Sequence, residues 1–142
     1  MNLTPKQRES LRMKYGGHCA YCGIVLTAKW HADHLEPVVR TGKWVPNGHR
    51  RMKYQMSGQL EYPERDTFEN MMPSCVPCNI HKGDMKLESW RKYLENMLAS
   101  LRGYSGVYRH AIRFGLVTEQ PQVVVFYFER QRVRKRIQLR AA

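Results

Sequence analysis

The sequence predicts a small α+β fold closed around two cysteine knuckles, and three observations carry that expectation. All four cysteines fall in Cys-x-x-Cys pairs, Cys19/Cys22 and Cys75/Cys78. Apolar residues recur at spacings of three and four from Leu87 to Leu101, the signature of an amphipathic helix. Shorter β-branched and aromatic runs, bounded by Gly and Pro, flank that stretch. At 142 residues the chain is too short for two full domains, and with 42% hydrophobic residues it can build one modest core. An added cross-link therefore matters.

The elements follow in order. Thr4-Pro5-Lys6-Gln7 supplies an N-cap, a proline at the first helical position and a glutamine to complete a capping box, predicting a helix through Tyr15 that Gly16-Gly17 ends. Cys19 to Gly23 reads as a tight turn. Ile24 to Leu35 is short and apolar, interrupted by Lys29 and Asp33, and predicts one or two strands before Pro37. Residues 40–66 contain Gly42, Pro46, Gly48, Gly58 and Pro63 with no sustained period, a long excursion of the kind kept for function. Phe68 to Pro73 predicts a brief strand or turn, and Leu87 to about Gly103 one amphipathic helix. Val107 to Leu116 is mixed, Pro121 is a break, Val123 to Phe128 reads as a strand, and a basic tail begins at Arg130. Residues 1–103 form the expected main unit and 104–142 an accessory segment.

Charge narrows the partner. There are 24 Lys+Arg against 12 Asp+Glu, a formal net charge of +12. Arg40, Lys43, Arg50, Arg51 and Lys53 form a block with no acid, interleaved with Trp44, His49 and Tyr54. Residues 129–142 hold six Lys/Arg against Glu129 alone. Such clustering points to a polyanion, nucleic acid first, although a solvated basic face and tail have the same composition. No run of about 18 apolar residues occurs and MNLTPKQRES has no apolar signal core, so a soluble cytoplasmic protein is expected, with no membrane partner.

In a reducing compartment the paired cysteines read as metal ligands rather than disulfides. Two thiolates two residues apart occupy two corners of a tetrahedron, and a second pair closes a four-thiolate zinc site. The alternatives are a redox pair or buried free thiols. A closed four-cysteine shell is structural and leaves catalysis to other residues. Residues 23–74, between the pairs, are more than a zinc ribbon needs and bracket an inserted functional unit.

That unit contains His31-Ala32-Asp33-His34, then Asn70, and Asn79 directly after Cys78, with Lys82 at the end of a Cys-Asn-x-x-Lys run. This order, over about residues 15–100, resembles the HNH endonuclease family with its ββα-metal fold, in the small stand-alone form found in bacteria and phages. The resemblance implies His34 as general base, Asp33 and Asn79 as ligands of a catalytic Mg²⁺ or Mn²⁺, and Asn70 as the residue bracing the hairpin. It implies hydrolysis of DNA phosphodiester bonds, by nicking or double-strand cleavage, to 5′-phosphate and 3′-hydroxyl ends. The chemistry is consistent, since such hydrolysis needs an activated water and relief of charge on the phosphate.

Asn79 stands where the name-giving pattern has its last His, and Gly83 where some members carry a further helical His. His31, on the strand face of Asp33, is a possible third ligand, and His81 a residue that points away or touches DNA. Strict strand alternation separates Asp33 from His34, so a bend or bulge is expected. Arg40, Lys43, Arg50, Arg51, Lys53 and Lys82 are the expected contacts to duplex DNA. Two other readings stay open: a non-catalytic zinc module that binds nucleic acid, and a protein-interaction adaptor for which the charge is incidental.

Overall fold

The computed structural model describes residues 1–48 and 51–133. It is a mixed α+β arrangement in which two small antiparallel sheets are carried among helices. Helix α1 (Pro5–Met13) begins as its residues dictate: the Thr4 hydroxyl accepts from the Gln7 amide at 3.3 Å, and the Gln7 side chain accepts from the Thr4 amide at 3.0 Å. Leu11 is its one buried residue. Its basic side chains serve the fold, because Arg8 donates to the Trp30 carbonyl at 2.9 Å, Arg12 to that of Leu26 at 3.1 Å and Lys14 to that of Met71 at 2.7 Å.

Strand β1 (Trp30–His34) pairs with β4 (Met71–Cys75) in unbroken register, from Trp30 opposite Cys75 to His34 opposite Met71. The one or two strands expected over Ile24 to Leu35 reduce to one in the second half of that span, and Val25 makes only an isolated bridge to His18. Helix α2 (Val76–Lys82) follows β4 without a linker, Cys75 serving as its N-cap residue and Pro77 lying in its first turn.

Between β1 and β4 the chain forms a second sheet, β2 (Arg40–Pro46) against β3 (Met52–Leu60), and a 3₁₀ turn at Pro63–Arg65. The long excursion is therefore an ordered hairpin. Its period of two is present in Met52, Tyr54 and Met56 alternating with Lys53, Gln55 and Ser57, but neither face packs on the core.

Helix α3 (Leu87–Glu95) buries Trp90, and α4 (Met97–Tyr104) follows as a separate helix, correcting the expected single helix. The break is at Asn96, whose side-chain amide donates to the Lys92 carbonyl at 2.9 Å and competes with helix continuation. Helix α5 (Gly106–Arg113) occupies the mixed stretch, its Ser105 hydroxyl accepting from the Tyr108 amide at 3.2 Å.

The strand expected over Val123 to Phe128 is overturned: residues 121–126 are irregular and helix α6 covers 127–133. The Glu129 carboxylate accepts from the Phe126 amide at 2.9 Å, half of a capping box that starts α6 there. The Tyr127 and Phe128 amides donate to the Tyr21 and Ala20 carbonyls at 2.9 and 2.8 Å, so the first knuckle takes the place of a partner strand. Phe126 and Phe128 enter the same core as Leu11, Tyr21, Met72 and Trp90. Gly23 permits this docking. Its φ of +82° is left-handed, and a Cβ there would stand 2.7 Å from the Tyr127 ring. The basic tail beyond 133 lies outside the described residues. No described helix is long and apolar enough to cross a membrane.

Candidate metal centre and adjoining cleft

The two knuckles meet as the cysteine spacing predicts. The sulfurs of Cys19, Cys22, Cys75 and Cys78 all lie within 4.8 Å of one another, the one such group of His, Cys, Asp or Glu among the described residues. Cys22 and Cys75 stand 3.8 Å apart. Four thiolates at about 2.3 Å from a tetrahedral zinc are separated by roughly 3.8 Å, so the cluster fits a structural metal such as zinc. Backbone contacts preset it: the Ala20 amide donates to the Pro73 carbonyl at 2.8 Å, and the Cys75 amide to the Cys19 sulfur at 3.3 Å. The Cys78 thiol bonded to Cys19 holds the latter's pKa down at about 4. Burial pushes Cys22 up to about 11, and donation to Cys19 raises Cys78.

One residue inside the first knuckle connects this centre to a cleft. Tyr21 is buried edge-on against Trp90, ring centroids 5.0 Å apart, and its hydroxyl donates to Asp33 Oδ2. The same oxygen receives the Lys82 ammonium at 3.1 Å. Burial pushes the Asp33 carboxyl above the usual carboxylate range, opposed by Lys82. Lys82 was expected at a DNA phosphate. It is instead 1% exposed, and its amine also donates to the His34 carbonyl at 2.6 Å.

The cleft has a volume of about 670 Å³, and its lining includes His31, Asp33, His34 and Asn79 together with Arg40, Tyr54 and Met56 of the hairpin. Of the expected bend or bulge, the structure has the bend: β1 pairs without a bulge, His34 is its last residue, and the chain bends at residues 35–36 immediately afterwards. His34 Nε2 bonds Asp66 Oδ1 at 2.8 Å. The Asp66 carboxyl is held below its usual range, first by the N-terminal ammonium bonded to it and also by His34. Asn70 ties the bend down: Oδ1 accepts from the Glu36 amide at 2.9 Å, and Nδ2 donates to the Glu36 and Arg65 carbonyls, each at 2.8 Å.

Asn79 projects from α2 to His31, Nδ2 to Nδ1 at 2.9 Å. Both residues and Asp33 line the cleft, and the two partners of Asp33 share Oδ2. His81 points elsewhere, its Nδ1 accepting from Trp90 Nε1 at 2.7 Å. Lys43, Arg51 and Lys53 stand exposed on or beside the hairpin, and Arg50 lies outside the described residues.

Asp66 and Tyr21 escaped the sequence reading. Each touches its partner across a large separation in sequence that no motif spacing encodes. Compared with known families, curated proteins and solved structures, the chain gives no match.

Proposed function

We propose that the protein is an endonuclease of the HNH type that hydrolyses DNA phosphodiester bonds in this cleft. The observation that carries the reading is the convergence of His34, Asp33 and Asn79 on one cleft, from an antiparallel pair that runs directly into a helix beside a four-cysteine centre. In this reading His34 is the general base. Its Nε2 is engaged by Asp66, which leaves Nδ1 to take a proton from water. The water oxygen bonds to phosphorus, the bond to the 3′-oxygen breaks, and a 5′-phosphate and 3′-hydroxyl result. Asp33 and Asn79 would hold Mg²⁺ or Mn²⁺, with His31 beside them. The chemistry such a cation supplies is relief of negative charge on the phosphate and the departing oxygen. Asn70 fixes the bend that aims His34, and Asp66 orients its ring.

A specific observation favours a second reading, a zinc module that binds nucleic acid without cutting it: Asp33 is buried and already paired with Lys82. Supercoiled plasmid separates the two. Nicked or linear product that requires added Mg²⁺ or Mn²⁺ and is lost in His34→Ala supports the nuclease. Plasmid bound but left intact by the wild type with either metal supports the module.

A further inference from the structure

The β2–β3 hairpin has two unlike faces. Residues directly opposite each other share a face, and the pairs Trp44/Tyr54, Pro46/Met52 and Gly42/Met56 make one side aromatic and apolar. The other carries Lys43 with Gln55 and Val45 with Lys53. Sheets bury such an apolar face, yet here Trp44 is 65% exposed, Met56 59% and Tyr54 43%. The face is built, because a Cβ on Gly42 would stand 2.7 Å from the Tyr54 ring and 2.5 Å from the Gln55 carbonyl oxygen. Glycine there lets the ring lie across the strand, where it meets Trp44 edge-on at 5.4 Å.

The surroundings identify what this face takes. Residues 40–60 contain five Lys/Arg and no acid, which favours a polyanion over an apolar peptide. The face is continuous with the cleft, since Tyr54 and Met56 line it together with Asp33 and His34. A polyanion that offers flat apolar surfaces is a nucleic acid with accessible bases, and in an intact duplex those surfaces are hidden by stacking.

We propose that the Trp44/Tyr54 face of the hairpin is a base-stacking site for unpaired nucleotides next to the phosphate in the cleft, so the substrate class is DNA carrying a gap, flap or mismatch. The proposal rests on the nuclease reading for the identity of the cleft. Lys43 and Lys53, on the opposite face, hold backbone phosphates and carry no preference of their own.

Fluorescence anisotropy tests it with the zinc-loaded full chain bearing His34→Ala, against a labelled duplex and the same duplex carrying a short single-stranded gap. The gapped duplex is expected to bind about ten-fold more tightly. Adding Trp44→Ala and Tyr54→Ala brings it down to the affinity of the intact duplex. Lys43→Ala with Lys53→Ala weakens both and keeps the ratio. Equal binding of the two duplexes, a preference that survives removal of both rings, or tighter binding of single-stranded RNA than of gapped DNA overturns the proposal. Plasmid cleavage reports separately. A chain that cuts but shows no gap preference overturns the stacking site alone. One that shows the ring-dependent preference but never cuts supports the stacking site and overturns the nuclease.

Discussion

The ammonium of Lys82 lies 3.1 Å from the Asp33 carboxylate and 2.6 Å from the His34 carbonyl, away from water, so one side chain fixes both neighbours in the cleft. Removing one member of a buried pair leaves the other charge uncompensated, at a cost of about 3–5 kcal/mol. Lys82→Met is therefore expected to lose about 3 kcal/mol in urea unfolding at pH 7, and adding Asp33→Asn to recover part of it. Additive losses would remove the coupling. Asp66 gives a second expectation. Its carboxyl is lower in the folded chain than in the unfolded, so its contribution to stability is complete above the ordinary carboxylate value of about 4. That contribution disappears as pH falls through the lower folded value. The melting-temperature gap between wild type and Asp66→Asn should thus be open at pH 6 and close on acidification. If Asp66 orients His34, the same variant lowers kcat about ten-fold or more with KM little changed. An equal loss in KM alone would make Asp66 a DNA contact.

At the scale of elements, the hairpin is held by its own ladder, and its ends are already joined: the Glu61 amide donates to the Val39 carbonyl at 2.9 Å. Replacing residues 40–60 by a short glycine linker is expected to keep zinc stoichiometry and shift the melting temperature by only a few degrees, while DNA affinity falls with the loss of its five cations. Unfolding of that variant would show the hairpin to be part of the core. The same independence explains what was legible in the sequence. The Thr4–Gln7 cap and the two knuckles are local patterns with one geometric solution, and they appear as expected. Val123 to Phe128 has strand composition, but strand propensity is packing on a pleated surface. Its phenylalanines find the knuckle and its Glu129 starts a helix. Leu87 to Leu101 keeps one apolar period, although the core it faces ends near Leu94 and Asn96 breaks the backbone. Asn70, Asp33, His34 and Asn79 could be named in advance from motif order. Asp66, Tyr21 and the burial of Lys82 could not, because they arise from contacts between distant segments.

For the whole molecule, the four-cysteine centre governs more than its own loop. It joins the turn after α1 to the β4–α2 junction, and through Tyr21 it supports Asp33, Trp90 and the returning Phe126 and Phe128. Structural zinc sites contribute roughly 10–16 kcal/mol. Domains of this size are stable by about 5–15 kcal/mol, so removing the metal outweighs what remains. A chelator strong enough to strip a four-thiolate site is expected to abolish the cooperative melt, and zinc, but not magnesium, to restore it. Thiol ionisation sets the pH dependence. In the metal-free, unfolded chain the cysteines titrate near their ordinary value of about 8.5 and carry protons at pH 7, whereas a zinc ligand is a thiolate. Zinc uptake at pH 7 therefore releases close to four protons, about one from each cysteine of the cluster, and affinity falls as pH falls. Isothermal titration in two buffers of different ionisation enthalpy measures the number directly. A release near two protons would mean that only one Cys-x-x-Cys pair binds the metal, overturning the four-cysteine site.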